Sequence, residues 1–246
     1  MKLNGNTILI TGGATGIGWT LTERFLEAGN DVVICGRRED RLLEAQKKYP
    51  QLHVRVCDVA DETQRVELFE WAIDKFPSLN VLVNNAGVQR RVDLTENENW
   101  RETRSEIAIN FEAPVHLSRL FVPHLLRQTD AAIINVTSGL SFAPLANVPV
   151  YCATKAALHS FTLSLRHQLS RTPVEVIEIV PPAVDTDLGG VGLHTFGVDA
   201  QEFADAVFDG LKEGRQEIAY GTALRSSRAS REQLDEISRQ MNERFT

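Results

Sequence analysis

The stretch Thr7-Ile-Leu-Ile-Thr-Gly-Gly-Ala-Thr-Gly-Ile-Gly18 decides the fold. Four apolar or β-branched residues run into a loop with glycines at 12, 16 and 18, and Trp19–Ala28 then carries apolar residues at helical spacing. A strand that enters a glycine-rich turn and opens a helix brings backbone N–H groups to the helix N-terminus, where a pyrophosphate would sit. One more residue separates the first two glycines than in the G-x-G-x-x-G form. A plain glycine turn would look similar, so the rest of the chain must decide.

Working outward, strand-length apolar runs recur at Asp31–Cys35, His53–Cys57, Val81–Asn84, Ala131–Thr137 and Val174–Val180, and Gln216–Tyr220 could add a seventh. Helical patterns such as Arg41–Tyr49 and Val66–Phe76 lie between them. Continuous apolar strands alternating with helices predict a Rossmann-like, doubly wound parallel α/β sheet of about seven strands in a single domain. Residues 1–222 would form that domain and 223–246 a helical tail. Ligands bind such sheets at the C-terminal ends of the strands.

Composition narrows the class. The chain has 246 residues, 43% hydrophobic and 24% charged, with a net charge of −7. That balance argues against general nucleic-acid or anionic-membrane binding. Cys35, Cys57 and Cys152 are odd in number, which fits free thiols in a reducing compartment and a cytoplasmic location. The opening residues lack a signal-peptide pattern, and no apolar run reaches membrane-spanning length. No cluster of Cys, His and acidic residues has metal-ligand spacing.

The strand ends carry the polar candidates. After strand two come Arg37 and Arg38, which favour the 2′-phosphate of NADP, with NAD the alternative. Asp58 could accept from an adenine amino group or cap the helix beginning near Asp61. Asn84 could knit neighbouring strand ends, while Ala86 and Gly87 leave room for a ribose. Asn110 has apolar neighbours and needs buried partners. Pro114 and Pro123 interrupt the helical pattern around it.

Ser138, Tyr151 and Lys155 form the other constellation. On one helix, i, i+4 spacing places Tyr151 and Lys155 on the same face. A nearby ammonium would lower the phenol toward working pH, and the hydroxyl could then exchange a proton with a carbonyl or alcohol. Ser138 could hold the substrate oxygen.

Taken in order, Thr11–Gly18, Asp58, Asn84–Gly87, Asn110, Ser138, Tyr151-x-x-x-Lys155, Pro181 and Thr186 resemble the short-chain dehydrogenase/reductase family, in its single-domain branch. The stretches PVYCATKAALHSFTLSLRHQL and VEVIEIVPPAVDT resemble the bacterial DltE-type oxidoreductases of that family. The resemblance implies a tetrad of Asn110, Ser138, Tyr151 and Lys155, with Tyr as acid/base and Lys binding the nicotinamide ribose. It places Gly12, Thr15, Gly16, Ile17 and Gly18 at the pyrophosphate, Asp58 and Val59 at the adenine, Asn84, Ala86 and Gly87 at the ribose, and Pro181 and Thr186 near the carboxamide. It also implies a homodimer or homotetramer. One departure is Pro182, where the family has glycine; proline fixes φ and donates no hydrogen bond.

The walls of a substrate pocket are expected from Leu140, Phe142 and Leu145, between the serine and the tyrosine. Leu188, Leu193 and Phe196, on the glycine-rich segment Asp187–Asp199, are expected to form an apolar lid. Leu234, Ile237, Met241 and Phe245 form a helical stripe in the tail that must bury on its own domain or on a second subunit. Together these features predict an oxidoreductase moving a hydride between NAD(P)(H) and a carbonyl or secondary alcohol. A non-catalytic dinucleotide sensor on the same fold is the alternative.

Overall fold

A computed structural model of the chain describes residues 1–96 and 99–245, for residue 245 the main chain alone. The expected stripe residue Phe245 therefore has its side chain outside the described residues.

Seven parallel strands, β1 (Thr7–Thr11), β2 (Asp31–Gly36), β3 (His53–Val56), β4 (Val81–Asn84), β5 (Ala132–Val136), β6 (Glu175–Val180) and β7 (Glu217–Ala219), lie in the order β3-β2-β1-β4-β5-β6-β7. The order reverses between β1 and β4, which makes the crevice above those two strands the binding position for a doubly wound sheet. Helices α1 (Gly16–Glu27), α2 (Glu39–Lys48) and α7 (Ala200–Lys212) cover one face; α3 (Glu62–Lys75), α5 (Ala113–Leu125) and α6 (Pro149–Leu169) cover the other.

Alternation within each strand explains why both faces are apolar. In β1, Ile8 and Ile10 pack with Leu21 and Phe25 of α1, while Leu9 turns to the opposite core with Leu117 and Phe121 of α5. Successive side chains point to opposite faces, so a strand buried on both must be apolar throughout.

Before α5, α4 (Trp100–Ile107) passes into a π-helical turn at Ala108–Glu112. The sequence led us to expect proline to break this segment. Instead Pro114 sits in the first turn of α5, where its missing N–H costs little, and Pro123 lies near that helix's end. The irregularity falls at the π-turn, which holds Asn110.

The tail forms α8 (Gly221–Ser227) and α9 (Arg231–Phe245). Ala223 of α8 is buried with Val180 and Ala219. On α9, Ser238 Oγ donates to Pro144 O at 3.0 Å, and Asn242 Oδ1 accepts from Ala146 N at 2.6 Å. Leu234, Ile237 and Met241 are half-buried. Among the described residues, no helix is long and apolar enough to cross a membrane, and no group of His, Cys, Asp and Glu could hold a metal ion. Cys35, Cys57 and Cys152 are free and buried.

Candidate active site

The glycine loop is built by close packing against the end of β4. Gly12 has φ +66°, and a Cβ there would meet Ala86 Cα at 3.0 Å. A Cβ on Gly18 would come within 2.3 Å of both Asn85 Nδ2 and Gly12 O. Asn85 Nδ2 donates to Thr11 O at 2.9 Å and to Gly12 O at 3.2 Å, and Thr11 Oγ1 accepts from the N–H groups of Asn85 and Ala86. Asn85 therefore ties the loop to β4. The sequence reading missed this residue, because beside Asn84 it looks like a repeat of the same signal.

Thr15 precedes α1 in an extended conformation and makes no side-chain cap. Its hydroxyl accepts from Arg38 Nη2 at 3.2 Å instead. The first-turn N–H groups of Gly16, Ile17 and Gly18 are left for an external acceptor, and an uncapped N-terminus favours an anion. These residues fit a dinucleotide's pyrophosphate. Thr186 lies against the loop, 3.4 Å from where a Cβ on Gly16 would stand. Pro181 O accepts from Gly139 N at 2.9 Å, which joins the segment after β6 to the one after Ser138.

Around the adenosine end, Arg37 Nη1 stands 4.0 Å from Asp58 Oδ2, both partly exposed. Asp58 does not cap α3: Asp61 does, accepting from Gln64 N, while Asp58 Oδ1 accepts from Ala60 N. The Val59 side chain is buried in the core, and its carbonyl accepts from Arg65 Nη1. Asn84 knits the strand ends, donating to Asn135 Oδ1 at 2.9 Å and to Ser118 Oγ at 3.3 Å. Its amide is buried beneath the sheet edge, so only its main chain remains to meet a ribose.

The four tetrad positions converge. Lys155 Nζ lies 5.8 Å from the Tyr151 ring centroid and donates to Val136 O at 2.7 Å. A Cβ on Gly87 would stand 3.6 Å from Lys155 Nζ and 3.5 Å from Asn110 Oδ1, which places these three together. Asn110 grips Val88 at both ends: Oδ1 accepts from Val88 N at 2.9 Å, and Nδ2 donates to Val88 O at 2.8 Å and to Thr154 Oγ1 at 3.2 Å. Ser138 Oγ accepts from Leu140 N at 3.1 Å. All four side chains are buried.

Burial sets the charges in a way the sequence did not foretell. Desolvation pushes Tyr151 up to about 12; the Ser138 hydroxyl opposes this, while Cys152 and Glu106 add to it. Desolvation alone draws Lys155 down to about 8. We expected the ammonium to lower the phenol; instead loss of water dominates at both groups, and Lys155 is not among the causes that act on Tyr151.

Of the expected pocket residues, Leu140, Leu145 and Leu188 pack around Tyr151, Cys152 and Val148. Phe142 does not join them: its ring meets His159 edge to face, with centroids 4.7 Å apart, beside Val180 and Ala223. Leu193 and Phe196 are 43% and 65% exposed, so no apolar lid closes over the site. A cavity of about 430 Å³ borders the site through Leu140, Leu145 and Cys152 and is flanked by Ser238 and Asn242 of α9.

One buried charge was overlooked. Glu106 on α4, one turn before Asn110, is 0% exposed, and its carboxylate has no side-chain hydrogen-bond partner, only the main chain and charge of Arg90 nearby. In Arg-Glu-Thr-Arg-Ser-Glu106 it reads as one more solvated charge; its only signal is the four-residue spacing to Asn110.

Comparison with known proteins agrees with this geometry. Residues 6–191 match the family model for short chain dehydrogenases. A Bacillus subtilis protein described as the uncharacterized oxidoreductase DltE is 53% identical, with 98% of each chain covered. A short chain dehydrogenase from Burkholderia cenocepacia J2315, in complex with NADP, superposes with a TM-score of 0.84 at 27% identity, covering 97% of this chain and 99% of its own. One from Burkholderia phymatum, in complex with NAD, shares the fold with a TM-score of 0.86 at 21% identity, covering 96% of each chain. The chain belongs to the short-chain dehydrogenase/reductase family of oxidoreductases.

Proposed function

We propose that the protein is an NADP(H)-dependent short-chain dehydrogenase/reductase that interconverts a carbonyl and a secondary alcohol, with Tyr151 as the acid/base. The observation that supports this reading is the closeness of Asn110 and Lys155 beside Gly87, with the Tyr151 ring 5.8 Å from Lys155 Nζ and the Ser138 hydroxyl acting on Tyr151, at the sheet edge reached by the uncapped N-terminus of α1. When bound, the nicotinamide supplies or accepts the hydride.

The chain's own residues do the rest. The first-turn N–H groups of α1 hold the pyrophosphate, Asp58 with the main chain of Val59 receives the adenine, and Ala86 and Gly87 leave room for the ribose. Thr186 and Pro181 line the carboxamide side. Ser138 holds the substrate oxygen. Tyr151 is a phenol at neutral pH, since burial holds it well above its ordinary value, and so stands ready to donate its proton to the oxygen of a reduced carbonyl. Asn110 fixes Val88 and the Thr154 turn of α6, and with them the approach to Lys155. Lys155 presents its ammonium to the cofactor ribose. Leu140, Leu145 and Leu188 give the substrate side an apolar wall.

Arg37 and Arg38 support NADP over NAD. Strand β2 ends in Gly36 with no acid to take a ribose 2′-hydroxyl, and both guanidinium groups stand at that end, Arg38 touching the glycine loop. Free buried cysteines support a cytoplasmic location. Residues 1–222 are read as the catalytic domain and 223–246 as its helical tail, in a homodimer or homotetramer. A dinucleotide sensor would have no use for all four tetrad residues.

The test is a panel of carbonyls and alcohols with NADPH and NADH in parallel. Turnover with at least one pair, faster with NADPH, is expected. Cofactor binding without turnover across the panel would favour the sensor, and a clear preference for NADH would refute the role given to the arginines.

A further inference from the structure

One buried charge lies outside this scheme. α4 packs on α6 and carries Glu102 and Glu106, and the π-turn that continues it carries Asn110, at successive four-residue steps. Three features show that this face organises the segment after β4. Asn110 holds Val88 by both main-chain groups. Arg90, two residues on, extends Nε to within 3.8 Å of Glu102 Oε2. Between those anchors Glu106 lies fully buried with no side-chain partner, its nearest donors being the main chain and guanidinium of Arg90, whose Nη1 is itself buried and unpartnered. A carboxylate kept from water without hydrogen bonds is costly, and it survives only where it is neutral or where a charge answers it.

We propose that Glu106 is a positioning residue of the reaction: its buried carboxyl, set beside Arg90 and the Tyr151–Cys152 turn of α6, governs by its charge state how readily Tyr151 releases its proton. This rests on the reading of Tyr151 as the acid/base. Charge reaches Glu106 from Arg90 in the segment after β4, itself near Glu102. The field of Glu106 reaches Tyr151 and Cys152 on α6, which packs on α4. α6 is also tied to the next turn by Asn110 Nδ2 donating to Thr154 Oγ1 and Thr154 Oγ1 donating to Tyr151 O. Lys155 stands one turn beyond Tyr151.

The signs are consistent. Burial raises the Glu106 carboxyl to about 7, against the pull of Arg90. Above that pH its negative charge holds the phenol proton of Tyr151 more firmly, and the same charge raises Cys152. Below it, Glu106 is neutral and the phenol is the stronger acid. Reduction therefore slows as Glu106 ionises, and the activity profile gains an inflection near pH 7 beside that of Lys155 near 8, which the Glu106→Gln variant separates because it removes the first and keeps the second.

The experiment pairs two readouts on the full chain, wild type, Glu106→Gln and Arg90→Met, with thermal melts to confirm folding. The first is infrared difference spectroscopy between about pH 5 and about pH 9, which follows the protonated-carboxyl C=O stretch without any cofactor. The second is kcat against pH for NADPH-dependent reduction. In wild type the carboxyl band and the kinetic inflection are expected to titrate together near pH 7. Glu106→Gln should lose both and keep the faster, acid-side rate through neutral pH. Arg90→Met, which removes the opposing positive charge, should move both to higher pH, and it carries the test if Glu106→Gln does not fold. A uniform fall in kcat with an unmoved inflection would make Glu106 merely structural and overturn the proposal. So would a band that titrates with no matching inflection. Absence of turnover with every carbonyl would instead overturn the oxidoreductase reading, while the infrared band still reports on Glu106.

Discussion

Replacing Lys155 with methionine should make the protein more stable at neutral pH while abolishing turnover. Burial draws the Lys155 ammonium from 10.5 down to about 8. A lysine depressed in this way costs nothing well above pH 10.5, where it is neutral in both states. The cost grows as pH falls, because the unfolded chain takes up its proton first, and it is complete below the folded value. That full cost is about 3 kcal/mol for a shift of this size. Methionine keeps most of the stem without charge, but it strands the Val136 carbonyl that accepts from Nζ at 2.7 Å, which costs about 1–2 kcal/mol. The variant should therefore gain about 1–2 kcal/mol at pH 7, and its advantage over wild type should shrink by roughly 2.5 kcal/mol between pH 7 and pH 10. Urea unfolding followed by tryptophan fluorescence at both pH values measures this. A gap that does not change with pH would refute the reasoning, since a solvated ammonium would then be the correct picture of Lys155.

Other perturbations address the cofactor cradle. Gly18→Ala should cost about 2–4 kcal/mol and sharply weaken NADPH binding, because its Cβ collides with Asn85 and Gly12. The control Gly29→Ala, at φ +82° with nothing within 4 Å, should cost only about 1 kcal/mol and leave the NADPH fluorescence titration unchanged. Replacing Arg37 and Arg38 together with serine should weaken NADPH about tenfold or more while changing NADH little, since a charge-assisted hydrogen bond contributes about 1.5–3 kcal/mol; equal losses for both cofactors would contradict that assignment. Asn110→Ala should destabilise the fold by about 3 kcal/mol or more, by freeing the Val88 main chain in a buried site, and amide exchange at Val88 should speed up accordingly.

Much of this architecture was legible in the sequence because its signals are local. Apolar runs such as Thr7–Thr11 and Val81–Asn84 begin and end where the strands do, since burial on both faces favours apolar side chains and admits a polar one, such as Asn135, only with a partner. Glycines 12, 16 and 18 mark the loop because their backbone shape and close packing are encoded residue by residue. What was not legible depends on partners distant in the chain. Phe142 carries no mark of its edge-to-face contact with His159, and a helix spacing cannot say that loss of water will dominate at Tyr151. Glu106 was hidden for the same reason: only the packing of α4 on α6 turns a surface-like glutamate into a buried one.

In the proposed reaction Tyr151 supplies the proton for carbonyl reduction, while the rest of the site binds and orients. Steady-state reduction of one carbonyl by Tyr151→Phe and wild type, at saturating NADPH and with the NADPH affinity of each measured by fluorescence, tests it most directly. In Tyr151→Phe, kcat is expected to fall by about a hundredfold or more while the affinity for NADPH is nearly unchanged. Undiminished turnover in Tyr151→Phe would contradict it.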